Sequence, residues 1–154
     1  LSITGFQALI IESGGLEAKG LWGMRVLFFP DEGLDVSGGA AELVVLALAL
    51  VAGKGSVEAT ASDEPSFGGT ELASVEVVST SGPRVHIRVD PERSALLIEG
   101  DRLGLTALAD ELQSIAEMDE GGHQHIEYFP DHHYLAAGSL AMVVNSPHGG
   151  MPTR

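Results

Sequence analysis

One pattern of residues runs through this chain twice. The first copy runs from Met24 to Gly38 and passes into the apolar stretch Ala40 to Ala52. The second runs from Val85 to Gly100 and passes into the amphipathic stretch Leu103 to Glu117. Each then continues into two short strand-like segments. Gly55 to Ala59 and Leu72 to Ser79 answer to Gln124 to Tyr128 and Leu140 to Ser146. A spacing of about sixty residues is too long for a solenoid and suits a small module present twice.

Local chemistry assigns the elements. Pro30-Asp31-Glu32-Gly33 and Asp90-Pro91-Glu92-Arg93-Ser94 are turn sequences, each between two strand-like runs, so each copy opens on a hairpin. Val85, Ile87 and Val89 alternate with His86 and Arg88, which gives that strand one buried and one wet face. Leu105, Leu108, Leu112 and Ile115 recur at helical spacing, with Ala109 and Ala116 in the same stripe. Asp110, Glu111, Gln113, Ser114 and Glu117 are expected on the outer side, and Asp101 is placed to cap the helix. The first-copy helix lacks a polar side, so most of it must be covered, by the rest of the chain or by another subunit. Ala59 to Thr70 reads as an exposed loop.

The expected fold is α+β. Two tandem ββαββ repeats, 24–79 and 84–146, form one mainly antiparallel sheet with two helices packed on one face. Residues 147–154 are expected to be a frayed tail. Residues 1–23 stand outside both copies. Phe6 to Leu16 reads as strand, turn, strand, and so as an extra hairpin; the alternative is an upstream extension before a natural start at Met24.

Charge and composition remove several function classes. The formal net charge is −14, with eight Lys and Arg against 22 Asp and Glu. That leaves no basic groove for phosphates, so nucleic acid is not an expected partner. An acidic surface instead steers a basic protein toward it. There is no cysteine, which removes disulfides, thiolate metal sites and cysteine nucleophiles, and fits the cytoplasm. The longest apolar stretch, Leu43 to Ala52, is far short of the roughly 20 residues of a membrane helix, so no membrane partner is expected.

No catalytic motif stands out. His123 and His125 alternate on a strand and so point the same way, a spacing that can hold one metal ion. A third ligand would have to come from His86, Asp131, His132 or His133. Without a matched third and fourth ligand the plainer reading is a polar strand face, and no metal and no cofactor are expected. Asp131-His132-His133 reads as a turn, since neighbours on an extended chain point oppositely and do not serve one site. Ser139 follows Gly138 without the Gly-x-Ser-x-Gly elbow of a serine hydrolase. Glu117, Asp119 and Glu120 form an acidic cluster after the second helix.

The stretch from about Leu96 to Val144 resembles the immunity protein 32 family of bacterial polymorphic toxin systems. The residues that carry the resemblance are Ile98-Glu99-Gly100-Asp101, Gly104-Leu105, Leu108 to Leu112 and Ile115-Ala116. They continue as Gly122-His123-Gln124-His125-Ile126, Leu135, Gly138-Ser139 and Leu140 to Val144. The resemblance implies a small protein with no reaction of its own that binds a cognate, basic toxin and blocks it. Tyr128-Phe129-Pro130 and the divergent first copy depart from the family pattern. The residues expected to meet the partner are Asp110, Glu111, Glu117, Asp119, Glu120, His123, His125 and Glu127. Two other classes stay open. One is a small metal-dependent enzyme using the His-x-His strand. The other is a structural domain that forms a homodimer through its apolar first helix.

Overall fold

The computed structural model describes residues 23–60 and 66–149. The hairpin expected before Met24 lies outside these residues, as does the end of the tail. The first hairpin is β1 (Arg25–Phe29) with β2 (Gly33–Ser37). Its turn needs glycine at 33 on two counts. Gly33 has φ +115°, and a Cβ there would lie 2.3 Å from the Ala141 carbonyl oxygen. Helix α1 spans Ala40–Ala52 and stops at Gly53, which takes the left-handed conformation and donates its N–H to the Ala49 carbonyl. Then come β3 (Lys54–Glu58), the two-residue β4 (Thr70–Glu71) and β5 (Ser74–Ser79). The second hairpin is β6 (His86–Asp90) with β7 (Ala95–Gly100). Helix α2 spans Arg102–Ala116, and as expected Asp101 caps it, its Oδ1 accepting from the Gly104 N–H at 2.9 Å. Strands β8 (His123–Ile126) and β9 (Met142–Asn145) follow. No helix among the described residues is long and apolar enough to cross a membrane.

The class is α+β, but the nine strands among the described residues form two sheets rather than one. The first has the order β4-β1-β2-β9-β8 and the second β3-β5-β7-β6. Nor are they simply antiparallel, because β2 pairs with β9, and β5 with β7, in parallel. Covering explains the division. Nine strands at about 4.8 Å spacing would make a sheet over 40 Å wide. Two helices side by side cover roughly 20 Å of it. With two sheets, both inward faces share a single core with the same helix pair.

Each helix carries the chain from one sheet to the other. After α1 the chain passes from the first sheet to the second, returns to the first for the short β4 and comes back for β5, and after α2 it passes to the first again. Hence β5 lands beside β7, and β9 beside β2. The registers match: Leu34 faces Met142 and Val36 faces Val144, while Leu96 faces Val75 and Ile98 faces Val77. The helices pack against each other. Leu43, Leu46, Ala47 and Leu50 of α1, and Leu105, Leu108, Ala109 and Leu112 of α2, are all buried.

The free edge of each hairpin is also covered. On β1, β4 pairs with Leu27 and Phe28, so the expected 59–70 loop ends in a strand. Thr60 N–H and Leu72 N–H add bonds to the carbonyls of Met24 and Val26 at 2.7 and 2.9 Å. On β6, residues 134–140 do this work: Val85 N–H donates to Tyr134, Ala136 N–H to Val85, and Leu140 N–H to Ile87. Ser139 is a clip here. Its Oγ accepts from Ile87 N–H at 3.1 Å and donates to the Val85 carbonyl at 3.2 Å. The start of the tail is ordered too: Gly149 N–H bonds the Ser146 carbonyl, and the Gly149 carbonyl accepts from Gly122 N–H.

These exchanged strands make a testable demand. Residues 1–80 and 81–154, made separately, should each lack cooperative unfolding, because each lacks a parallel partner for its own strands. Mixed, they should recover a native circular dichroism spectrum and one melting transition. Cooperative melting of either piece alone would refute the demand.

Candidate functional site

Strand β8 is an edge strand, and its two faces do different things. Gln124 and Ile126 point toward the helices. Ile126 is buried, and Gln124 Nε2 donates to Glu111 Oε1 at 3.0 Å. His123 and His125 point the other way, as their alternation requires, and their rings meet edge to face with centroids 4.9 Å apart. Across the sheet, Asn145 is the neighbour of His123, and its Nδ2 donates to Asp35 Oδ1 at 2.8 Å and Ser37 Oγ at 3.1 Å. Around His123 the outward face of the first sheet is thus polar and drawn from both halves, with Val143 and Leu27 further in. Nothing in the sequence announced Asp35, Ser37 or Asn145, since β9 is brought beside β2 only by the fold.

The acidic turn links α2 to β8. Glu117 caps α2, and its carboxylate accepts from Gln113 Nε2 at 3.1 Å. Glu117, Asp119 and Glu120 are exposed. The turn is pinned from below by Ser146, a buried residue whose Oγ donates to the Glu120 carbonyl at 3.0 Å. Glu127 is exposed at the far end of β8, and Asp110 is exposed on α2. The expected contact residues therefore do not share one plane. The acidic turn runs into the edge strand, the imidazoles face away from the helices, and Asp110 lies on the helix side.

Glu111 is a correction. Helical spacing placed it outward, but it is half-buried and both its oxygens are engaged. Oε2 accepts from the Tyr134 hydroxyl at 2.8 Å, and Oε1 is held by Gln124. Burial, and then the bond to Glu111, keep the Tyr134 phenol protonated well above its usual range. Glu111 thus ties α2, β8 and the 128–135 connection together.

The turn expected at Asp131-His132-His133 is there: Asp131 has φ +72° and His132 N–H bonds the Phe129 carbonyl at 2.9 Å. The orientation of the two imidazoles is a second correction. The two rings therefore stack, 5.3 Å apart and 7° from parallel, instead of pointing oppositely. His132 is only 6 % exposed. Its Nδ1 accepts from the backbone N–H groups of Tyr134 and Leu135 at 3.2 and 3.0 Å, and Arg84 donates to its carbonyl. Burial lowers its pKa from the ordinary 6.5, and the neighbouring His133 adds to the effect. Among the described residues, no three of His, Asp and Glu come together as a metal site. An open depression of about 390 Å³ beside β6 is lined by Arg84, His86 and Glu99. There Arg88 already holds both Glu99 oxygens, at 3.0 and 3.1 Å.

Residues 95–147 match the family model described as Immunity protein 32. No curated protein and no solved structure matches the chain. The immunity protein 32 segment holds β7, α2, the acidic turn, β8, the Glu111–Tyr134 link and β9. It is not a separate unit of the fold. Its β7 belongs to the second sheet and its β8 and β9 to the first, and their neighbours β2, β5 and β6 lie outside it.

Two measurements check this site. Tyr134→Phe should cost about 1–2 kcal/mol in denaturant unfolding, since Glu111 loses a charge-assisted bond; a change within error would show that the link carries no stability. The second concerns pH. The folded chain holds the His132 proton less tightly than the unfolded chain, so stability falls as pH drops below about 6.5. The melting temperature should decline from pH 7 to 5. In His132→Asn, whose oxygen can accept the same backbone N–H groups, it should decline less. An equal decline in both would place the titration elsewhere.

Proposed function

We propose that this protein is an immunity protein, which neutralises a cognate bacterial toxin by binding it and catalyses nothing itself. The observation that carries the reading is the immunity protein 32 match over residues 95–147. That segment includes the acidic turn and the His strand. In this reading Glu117, Asp119, Glu120 and Glu127 make the first approach to a basic toxin surface, and His123 and His125 lie beside them on the outward side of β8. Glu111 works from inside, by holding α2 to β8. The net charge of −14 favours fast, salt-sensitive capture of a basic partner. Action in the cytoplasm fits the absence of cysteine.

The two halves, 24–79 and 84–146, descend in this reading from one ββαββ module. Support comes from the matching registers of the two parallel pairings and from the shared order of hairpin, helix and later strands. The first half has become the scaffold that supplies β2 and β5.

The test uses the toxin domain that this reading expects to be encoded beside this chain. Co-expression should restore growth to cells making that toxin. The triple change Glu117→Lys, Asp119→Lys, Glu120→Lys should slow association about tenfold or more and flatten its dependence on ionic strength. Growth that fails with the unaltered chain, or association indifferent to the triple change, would refute the reading.

A further inference from the structure

The exposed side of the helix pair carries apolar side chains and almost no charge. On α1, Val44, Leu48 and Val51 recur along one face. Leu48 is 46 % and Val51 43 % exposed. The only charged residue of α1 is Glu42, and it is turned back to the helix start, where Oε1 accepts from Gly39 N–H at 3.0 Å. The end of α1 meets the start of α2: a Cβ on Gly53 would lie 3.2 Å from Arg102 Cδ. The packed helices therefore run antiparallel. The first turns of α2 extend the uncharged face with Leu103, 84 % exposed, and the half-buried Thr106 and Ala107. Charge returns only at the two ends of this stretch of α2, with Arg102 before it and Asp110 after it, both exposed. Among the described residues neither forms an ion pair.

We propose that this face docks a second copy of the chain about a two-fold axis. Two observations favour a copy over any other occupant. A chain of net charge −14 repels its own copy wherever carboxylates meet, and that repulsion is least at the uncharged face. The face is also self-complementary. An axis crossing near Thr106 sets Arg102 opposite Asp110 of the partner subunit, and Asp110 opposite Arg102 of the partner subunit. Leu48, Val51 and Leu103 supply the apolar surface, as exposed apolar patches at contact sites do. A basic toxin gains little from a face without carboxylates. The acidic turn stands at the other end of α2, about 20 Å from Leu103 and about 10 Å from Asp110 along the helix axis. Self-association and toxin capture thus occupy different surfaces, and Asp110 is assigned to the former.

Sedimentation equilibrium of the full chain, without toxin, tests this. The unaltered protein should associate to a dimer between about 1 and 200 μM, the weak end of what interfaces reach. Leu48→Glu with Val51→Glu should be monomeric throughout. Arg102→Glu alone and Asp110→Lys alone should each weaken the dimer roughly tenfold, and the two together should restore it, because the exchanged charges pair again across the axis. A monomer at the highest concentration overturns the proposal, as does a double charge exchange no better than either single change. So does a Leu48→Glu, Val51→Glu variant that melts lower at every concentration without change of mass, since the face would then be covered by the chain itself.

Discussion

The parallel pairings of β2 with β9 and of β5 with β7 are the contacts on which the rest of the structure depends. Each joins a strand of the first half to one of the second, so neither sheet exists without both halves. The two crossings made by α1 and α2 put both helices between the same endings, and the aliphatic stripes of the helices become one core with the inward faces of both sheets. A five-stranded and a four-stranded sheet can each be covered by this pair, where a single nine-stranded sheet would expose much of its apolar face.

That arrangement also explains the polar interior. The connection from β8 to β9 must travel back to cover the open edge of β6, and it carries Tyr134 and His132 into the body of the protein. Glu111 meets Tyr134 and Gln124 there, and His132 offers Nδ1 to two backbone N–H groups. Buried polar groups need such partners. Among the described residues no buried side-chain nitrogen or oxygen is left without one. The polar residues that looked most like chemistry in the connection are therefore its anchors. By contrast His125 and the carboxylates of the acidic turn are exposed among the described residues.

Charge is distributed unevenly enough to separate two surfaces. The turn after α2 concentrates carboxylates that, among the described residues, pair with no Lys or Arg, while the exposed side of the helix pair is nearly free of them. The immunity protein 32 match covers the acidic turn and the His strand, whereas the exposed face of α1 belongs wholly to the unmatched half.

Much of this was legible in the amino-acid order, because it depends on near neighbours. Periodicity located α1, α2 and both hairpins; Asp101 announced its cap; alternation put His123 and His125 on one side of their strand. Spacing along the chain also separates the acidic turn from the apolar helix. What the sequence could not decide was which strand lies beside which. That choice rests on contacts between distant parts of the chain, from 21 residues apart for Ser74 with Ala95 to 110 for Asn145 with Asp35. The same limit hid the fate of Glu111, outward by helical spacing but turned inward by Gln124 and Tyr134. It hid the stacking of His132 on His133, which depends on a left-handed Asp131. The sequence by itself determined the elements and their apolar faces, since those follow from side-chain chemistry and backbone geometry within a few residues. Only the tertiary structure decided that there are two sheets, which carboxylates face water and which apolar helix face stays open, since burial is settled by whatever packs against a residue from elsewhere in the chain.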